Sequence, residues 1–125
     1  MEKWIFSCNC KYYDVIGAFE NYSVIDWKQS NTNVQPGDEV YIYVGQPYQA
    51  VMFRCRVNKT NMANRHLQGT EFVKNKTERD GEYGRYMELE LIEKYDDQKY
   101  SIDILKSKGL KGTIQGPRKA GKLLD

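Results

Sequence analysis

Two runs of β-branched and aromatic residues, separated by a short turn, constrain the fold of this chain more than any other feature. The first run, Val40–Val44, follows a turn in which Pro36 and Gly37 stand at the positions that turns favour. The second run, Ala50–Val57, begins after a second turn over Gly45–Gln49. Because such residues fit a pleated, half-buried surface, the pattern predicts an antiparallel hairpin near the centre of a sheet.

The rest of the chain adds shorter elements around this hairpin. Further strands are predicted over Lys3–Cys10, Ser23–Trp27 and Arg85–Lys94. Short helices are predicted after Asp14 and after Ser101, which serve as N-caps. The fold class is therefore α+β and β-rich: a small, partly closed mixed β-barrel of about five or six strands, flanked by two or three short helices. A chain of 125 residues suffices for one core, so residues 1–125 are predicted to form a single domain.

A polar stretch from about residue 58 to residue 84 interrupts this pattern. It is poor in aliphatic side chains, which predicts a long exposed excursion with a helical turn near Asn61–Leu67. The one histidine, His66, lies inside it, without a Gly-x-Ser-x-Gly or cysteine–histidine signature. We therefore expect His66 to be a surface side chain, and we expect a binding module with no catalytic activity of its own.

The three cysteines point to a reducing compartment. Cys8, Cys10 and Cys55 are odd in number, and the first residues carry no apolar signal segment, so we expect a cytoplasmic protein without disulfides. No apolar run reaches the roughly 18 residues that a membrane helix requires, so no membrane partner is expected. The spacing of Cys8 and Cys10 is short for zinc, which usually binds two separated pairs of ligands. No metal and no cofactor is predicted.

Charge is unevenly distributed along the chain. The net charge is only +2, yet the segment 106–124 holds six basic residues and no acidic residue before Asp125, namely Lys106, Lys108, Lys111, Arg118, Lys119 and Lys122. Acidic residues gather instead at Glu78–Glu82 and Glu88–Asp97. Two interpretations of the basic segment stand side by side: a phosphate-binding surface, which Lys28 would extend, or a solvated tail.

A second group of residues is suited to holding a base. Trp27 is followed closely by Ser30, Asn31 and Asn33, which combine a stacking surface with hydrogen-bonding groups. Trp27 is equally compatible with a place in the hydrophobic core, and the sequence does not decide between the two.

Several separate segments together resemble the EVE domain of the PUA-like superfamily, which also includes the YTH and ASCH domains. The resemblance is carried by Trp4–Asn9, Tyr13-Asp14, Phe19, Asp26-Trp27, Gly37–Tyr43 and Ala50–Val57, and it resumes at Met87–Lys94 and Gln115-Gly116. It implies a pocket for a modified base. Ser7, Cys8 and Asn9 would form one wall, Trp27 would stack on the base, Asn31 or Asn33 would contact its edge, and Gln115 with Gly116 would close the pocket.

The chain departs from the commonest EVE pattern in two places. After Trp27 it carries Lys28-Gln29-Ser30-Asn31 where many members have an Arg-Asn stretch. It also lacks a second cage tryptophan, so that one of Tyr12, Tyr13, Tyr48 and Tyr83 would have to complete an aromatic cage.

The resemblance implies a module that recognises a modified base, with modified cytosine flipped out of DNA as the leading hypothesis. Such a module would supply the specificity of a modification-dependent restriction system, fused to or associated with a nuclease. Two alternatives remain at this point: an RNA-binding PUA-like domain, and a module for a small ligand or a protein partner. Because phosphate contacts make binding steeply salt-dependent, salt titration separates the nucleic-acid hypotheses from the last one.

Overall fold

A computed structural model describes residues 1–28, 33–62 and 85–124 of the chain. The strands and helices run in the order β1 (Lys3–Cys8), α1 (Val15–Asn21), β2 (Val24–Lys28), β3 (Glu39–Val44), β4 (Ala50–Met62), β5 (Tyr86–Lys94), α2 (Ile102–Ser107) and β6 (Arg118–Lys119). The six strands form one sheet in the order β2-β5-β4-β3-β1-β6. Strands β1 and β3 are parallel, and the other neighbouring strands are antiparallel.

The predicted fold class is confirmed: a strand-rich α+β fold with six strands and two short helices. The sheet is open, with β2 and β6 at its two edges, rather than closed into a barrel. Both helix caps are as predicted. The Asp14 carboxylate accepts a hydrogen bond from the Gly17 N–H, and the Ser101 hydroxyl accepts one from Ile104.

The sheet buries side chains on both faces of its central strands. One face packs against α1, and we call this cluster the α1 core; it includes Phe6, Val40 and Phe53. The other face packs against α2 and the C-terminal residues, and we call this cluster the C-terminal core; it includes Ile5 and Tyr41. Burial on both faces explains why β1 and β3 are apolar almost throughout rather than alternating with polar residues.

Asp38 joins the starts of the parallel pair β1 and β3. Its carboxylate accepts hydrogen bonds of 3.0 Å from the Glu2 N–H, the Gln35 N–H and the Trp4 indole N–H. Burial raises the pKa of this carboxyl, but the three donors outweigh it, and the pKa lies below its ordinary 3.8. The Gly37-Asp38 element, which carried much of the family resemblance, thus has a structural role: it holds the starts of β1 and β3 together.

Two strand limits differ from the prediction by more than one residue. Strand β1 ends at Cys8 rather than Cys10, because Asn9 opens a turn in which its carbonyl accepts from the Tyr12 and Tyr13 N–H groups. Strand β4 continues to Met62, so residues 58–62 of the predicted excursion are strand. These polar residues remain in the sheet because β5 pairs with them through an irregular register. The rest of the excursion, with His66, lies outside the described residues.

The basic C-terminal segment is anchored, so the interpretation as a solvated tail is wrong. Leu110, Ile114, Ala120, Leu123 and Leu124 are buried in the C-terminal core. The Ala120 N–H also donates to the Lys3 carbonyl at 2.8 Å, beside the β6 pairing with β1. Apolar residues interspersed among the basic ones supply this anchoring, and their spacing was the overlooked signal.

Candidate functional site

A cavity of about 430 Å³ opens where the parallel strands β1 and β3 end. The register pairs Cys8 with Val44, so that both strands reach this point together. Its walls come from the end of β1, the end of β3, the turn after each of them, and the C-terminal segment. The lining residues are Ser7, Cys8, Asn9, Lys11, Tyr43, Gly45, Gln46, Ile114 and Gln115. This volume lies in the range of small-ligand sites in proteins.

Backbone hydrogen bonds hold the two turns in place at the mouth. The Gly45 N–H donates to the Cys8 carbonyl at 2.9 Å and so ties the start of one turn to the end of β1. Within the turn over residues 9–13, the Asn9 side-chain oxygen accepts from the Lys11 N–H at 2.9 Å. In the turn over residues 45–49, the Tyr48 N–H donates to the Gly45 carbonyl at 3.0 Å. The polar side chains of the mouth therefore stand on fixed backbone.

The lining is polar, and its charge is positive. Ser7 offers a hydroxyl, while Gln46 and Gln115 carry amides that both donate and accept hydrogen bonds. Lys11 provides the positive charge, and the described lining residues include no carboxylate. Burial raises the pKa of the Tyr43 phenol above its ordinary 10.0, so its O–H is protonated at neutral pH and can donate. These groups suit a polar, planar or anionic ligand.

The structure brings together four of the predicted pocket residues from distant parts of the chain. Ser7, Cys8, Asn9 and Gln115 line the same cavity. Gly116 is the neighbour of Gln115 and is half-buried, but it is not among the described lining residues. Asn33 is exposed just ahead of buried Val34. Ser30 and Asn31 lie outside the described residues.

Trp27 lies elsewhere. It is on β2, at the sheet edge opposite β6, and packs half-buried against the α1 core. Its ring meets the Tyr13 ring edge to face, with the ring centres 5.5 Å apart and the planes at 80°. The described lining of the cavity contains Tyr43 as its aromatic residue and not Trp27.

The basic side chains predicted to bind phosphate fall into two groups. Those of the C-terminal segment are all exposed: Lys106, Lys108, Lys111, Arg118, Lys119 and Lys122. Lys111 and Arg118 each stand three residues from a cavity-lining residue, which puts their Cα atoms within about 11 Å of the cavity wall. Lys28 is exposed at the end of β2, which is the edge strand opposite β6.

Five lining residues were missed by sequence analysis: Lys11, Tyr43, Gly45, Gln46 and Ile114. A signal for some of them was present. Two turns that follow parallel strands must meet at the same end of those strands, and the turn over Gly45–Gln49 was predicted. The parallel pairing itself was not predicted, because β1 and β3 are separated in the chain by α1 and β2.

Other kinds of site have little support in the described part of the chain. Residues 1–28, 33–62 and 85–124 contain no group of three or more His, Cys, Asp or Glu side chains placed to hold a metal ion. Cys55 is fully buried, and burial raises the pKa of its thiol, which keeps it in the unreactive protonated form. Over the same residues, the helices are all too short or too polar to cross a membrane.

Comparison with known proteins places the fold. No protein-family model and no curated protein matches the sequence. Among solved structures, the ASCH protein of Zymomonas mobilis is similar with a TM-score of 0.61 and 14% identity, over 94% of this chain and 87% of that one. A single-site mutant of that protein gives a TM-score of 0.65 with 10% identity, over 99% and 94%. A Pseudomonas putida protein gives 0.62 with 10% identity, over 98% and 93%. The chain therefore has the PUA-like fold of ASCH domains.

Proposed function

We propose that this chain is a nucleic-acid-binding module whose cavity between the ends of β1 and β3 takes up one nucleotide. The observation that carries the proposal is the combination of a polar cavity of about 430 Å³ with an anchored basic segment that contributes Ile114 and Gln115 to the cavity wall. Amide and hydroxyl groups read the edges of a base, and exposed lysine and arginine side chains neutralise the phosphates beside it.

The charge distribution supports a polyanionic partner over a neutral small molecule. The six exposed cations of residues 106–122 are interrupted by no carboxylate, and two of them stand close to the cavity in the chain. Lys11 adds a further positive charge to the lining itself. A neutral ligand would need the cavity but would gain little from the cations of the C-terminal segment.

The nucleic acid is either RNA or DNA that carries a modified base, and different observations favour each. The likeness to ASCH domains is an analogy of fold, and it makes RNA the first partner to test. The EVE resemblance implies modified cytosine in DNA, and it gains support from the meeting of Ser7, Cys8, Asn9 and Gln115 at one cavity. Against it, an aromatic cage around Trp27 would stand away from this cavity. An unmodified nucleotide in RNA is therefore our first hypothesis, and a modified base in DNA is the second.

We further propose that the module binds without catalysing a reaction, either alone or beside a nuclease. The described lining offers neither a carboxylate nor a histidine as a general base. End-labelled RNA incubated with the protein should therefore be recovered intact. Cleavage that disappears in the variants Lys11→Ala or Tyr43→Phe would contradict this part of the proposal.

Fluorescence anisotropy with labelled oligonucleotides tests the main proposal. The panel contains single-stranded RNA, single-stranded DNA, and DNA duplexes with cytosine, 5-methylcytosine or 5-hydroxymethylcytosine, each at two salt concentrations. The variant Gln115→Ala removes an amide from the cavity wall, and we expect it to weaken binding about tenfold. Gln98→Ala is the matched control, since Gln98 is exposed in the turn after β5. This variant should bind the oligonucleotides with the affinity of the wild type.

Each outcome of the panel assigns or rejects a hypothesis. Tightest binding to single-stranded RNA supports the first hypothesis, and preference for a modified duplex supports the EVE-type one. No binding to any oligonucleotide in low salt, or binding that is equally tight at both salt concentrations, would overturn the nucleic-acid proposal. Equal loss of affinity in Gln115→Ala and Gln98→Ala would show that the cavity is not the binding site.

A further inference from the structure

Two exposed tyrosines stand on the turns that help to line the cavity. Tyr12 is 54% exposed and Tyr48 is 37% exposed. Among the described residues, the other large hydrophobic side chains that are exposed are Met1 and Ile92, which are not aromatic. Single exposed hydrophobic residues are common on protein surfaces and need no explanation. In this molecule, however, both tyrosines stand on the two turns that line one cavity.

Each tyrosine is fixed to the cavity wall by its own turn. Tyr12 directly follows the lining residue Lys11, and its N–H donates to the Asn9 carbonyl at 2.9 Å. Tyr48 comes two residues after the lining residue Gln46, in a turn closed by its N–H bond to Gly45. Their Cα atoms therefore lie within about 7 Å of a lining residue.

Neither tyrosine is part of the hydrophobic clusters formed by the described residues. The tyrosines that are, such as Tyr13 and Tyr41, are buried or half-buried against the α1 core or the C-terminal core. Tyr12 and Tyr48 belong to neither core. An exposed ring held on a fixed turn beside a polar cavity is suited to stacking on a flat ligand.

We propose that Tyr12 and Tyr48 stack on the bases that precede and follow the nucleotide in the cavity. The proposal rests on the proposed function and names its substrate class: a single-stranded segment of about three nucleotides, since each ring serves one base. Bases in a duplex have both faces covered by their neighbours, so only an unpaired segment can offer them to the two rings. Lys11 and the cations of the C-terminal segment then follow the backbone of the same strand.

Substitutions that separate stacking from simple apolar contact test this inference. Tyr12→Leu and Tyr48→Leu keep an apolar side chain but remove the aromatic face, and each should weaken binding of a nine-nucleotide single-stranded RNA at least about fivefold. Tyr12→Phe and Tyr48→Phe retain the face and should stay within about twofold of the wild type. Ile92→Ala is the matched control, because Ile92 is 36% exposed on β5 and should have no effect.

Two further measurements locate the rings on the ligand. Affinity for single-stranded oligonucleotides of one to nine nucleotides should rise steeply up to about three and more slowly afterwards. RNA carrying a photoreactive 5-iodouridine should cross-link to Tyr12 or Tyr48, with the cross-linked tyrosine identified by mass spectrometry.

The outcomes distinguish this inference from the proposed function. If the wild type binds RNA and Gln115→Ala weakens binding while both leucine variants bind normally, the inference is overturned and the proposed function stands. Equal affinity for a single strand and for the duplex of the same sequence would likewise overturn it. If the wild type binds no oligonucleotide, both proposals fail together.

Discussion

The two edges of the sheet differ in charge and in the use of their aromatic residues. Toward the β6 edge, the cavity opens at the ends of β1 and β3, β6 is part of the basic segment, and Tyr12 and Tyr48 on the lining turns are exposed. At the β2 edge, β5 carries the glutamates 88, 90 and 93, and the ring of Trp27 packs against Tyr13 and the α1 core. The region near the β6 edge thus has a polar cavity and exposed basic residues. The region near the β2 edge has a packed aromatic pair and the glutamates of β5.

This difference shows why a residue type alone does not locate a binding site. Trp27 has the larger stacking face, and for that reason it was the natural choice from sequence. The same apolar face also makes Trp27 a good core residue, and the fold uses it so. Polyanions are attracted by charge and need open space, and both are found at the β6 edge.

The largest effect expected from any substitution is on the free energy of unfolding, when the contact that joins the starts of β1 and β3 is removed. Asp38→Ala removes the acceptor of three hydrogen bonds, one of them from the buried Trp4 indole, and should lower the free energy of unfolding by about 4 kcal/mol. A comparable polar contact in the half of the sheet nearer β2 joins Asn58 on β4 to Glu88 and Glu90 on β5, and it is partly exposed. Asn58→Ala should therefore cost below about 1 kcal/mol. Urea denaturation measures both, and equal losses would contradict the comparison.

The next effect concerns binding and tests the difference in charge. The double variant Lys111→Glu, Arg118→Glu should weaken binding of single-stranded RNA about 100-fold at low salt, because it replaces cations beside the cavity with anions. Lys59→Glu, Lys94→Glu makes the same change of net charge, from +2 to −2, on β4 and β5. This control should lose no more than about fivefold in affinity. Similar losses in the two double variants would show that total charge, rather than the β6 edge, controls binding.

Much of the fold could be predicted from the sequence, because its signals are local. The turn and the β-branched run at Val40–Val44 identified a central strand, and Asp14 and Ser101 identified both helix starts. The polar end of β4 could not be predicted, because only its pairing with β5 keeps those residues in the sheet. Local signals thus predict the elements, while cross-strand pairing decides where β4 ends.

The site was harder to predict than the fold, because a cavity is made of residues that meet only in three dimensions. The family resemblance supplied Ser7, Cys8, Asn9 and Gln115, which do meet. It did not supply Lys11 or Gln46, whose place follows from the parallel pairing of β1 with β3. Parallel pairing connects strands far apart in the chain, and no local pattern marks it.

A third prediction concerns Trp27 and sharpens the contrast between the two edges. Trp27→Ala removes a half-buried ring and its edge-to-face contact with Tyr13, which should lower the free energy of unfolding by about 2 kcal/mol. At a temperature where the variant is still folded, its affinity for single-stranded RNA should stay within about twofold of the wild type. Loss of binding in a folded Trp27→Ala would instead support the stacking role that the EVE resemblance implies for Trp27.

The smallest effect expected is a change in the dependence of stability on pH. Hydrogen bonding from Arg54, at 2.7 Å, lowers the pKa of Glu39 below its ordinary 4.5, and the pKa of Asp38 is lowered too. The unfolded chain therefore takes up protons first as the pH falls, so stability is full above about pH 5 and is lost as the pH drops through and below 4. Each group contributes at most about 1.4 kcal/mol per pH unit to this slope.

Asp38→Asn isolates one of these contributions at the β6 edge. The variant keeps the shape of the side chain but cannot ionise, so it should be less stable than the wild type at neutral pH. The difference should narrow as the pH is lowered, because the wild type loses its charge there while the variant has none to lose. Thermal unfolding followed between pH 7 and pH 3 measures this convergence. If the two curves instead ran parallel, the charge on Asp38 would not be what holds β1 to β3. Other contacts would then have to keep in place the two strands at whose ends the cavity opens.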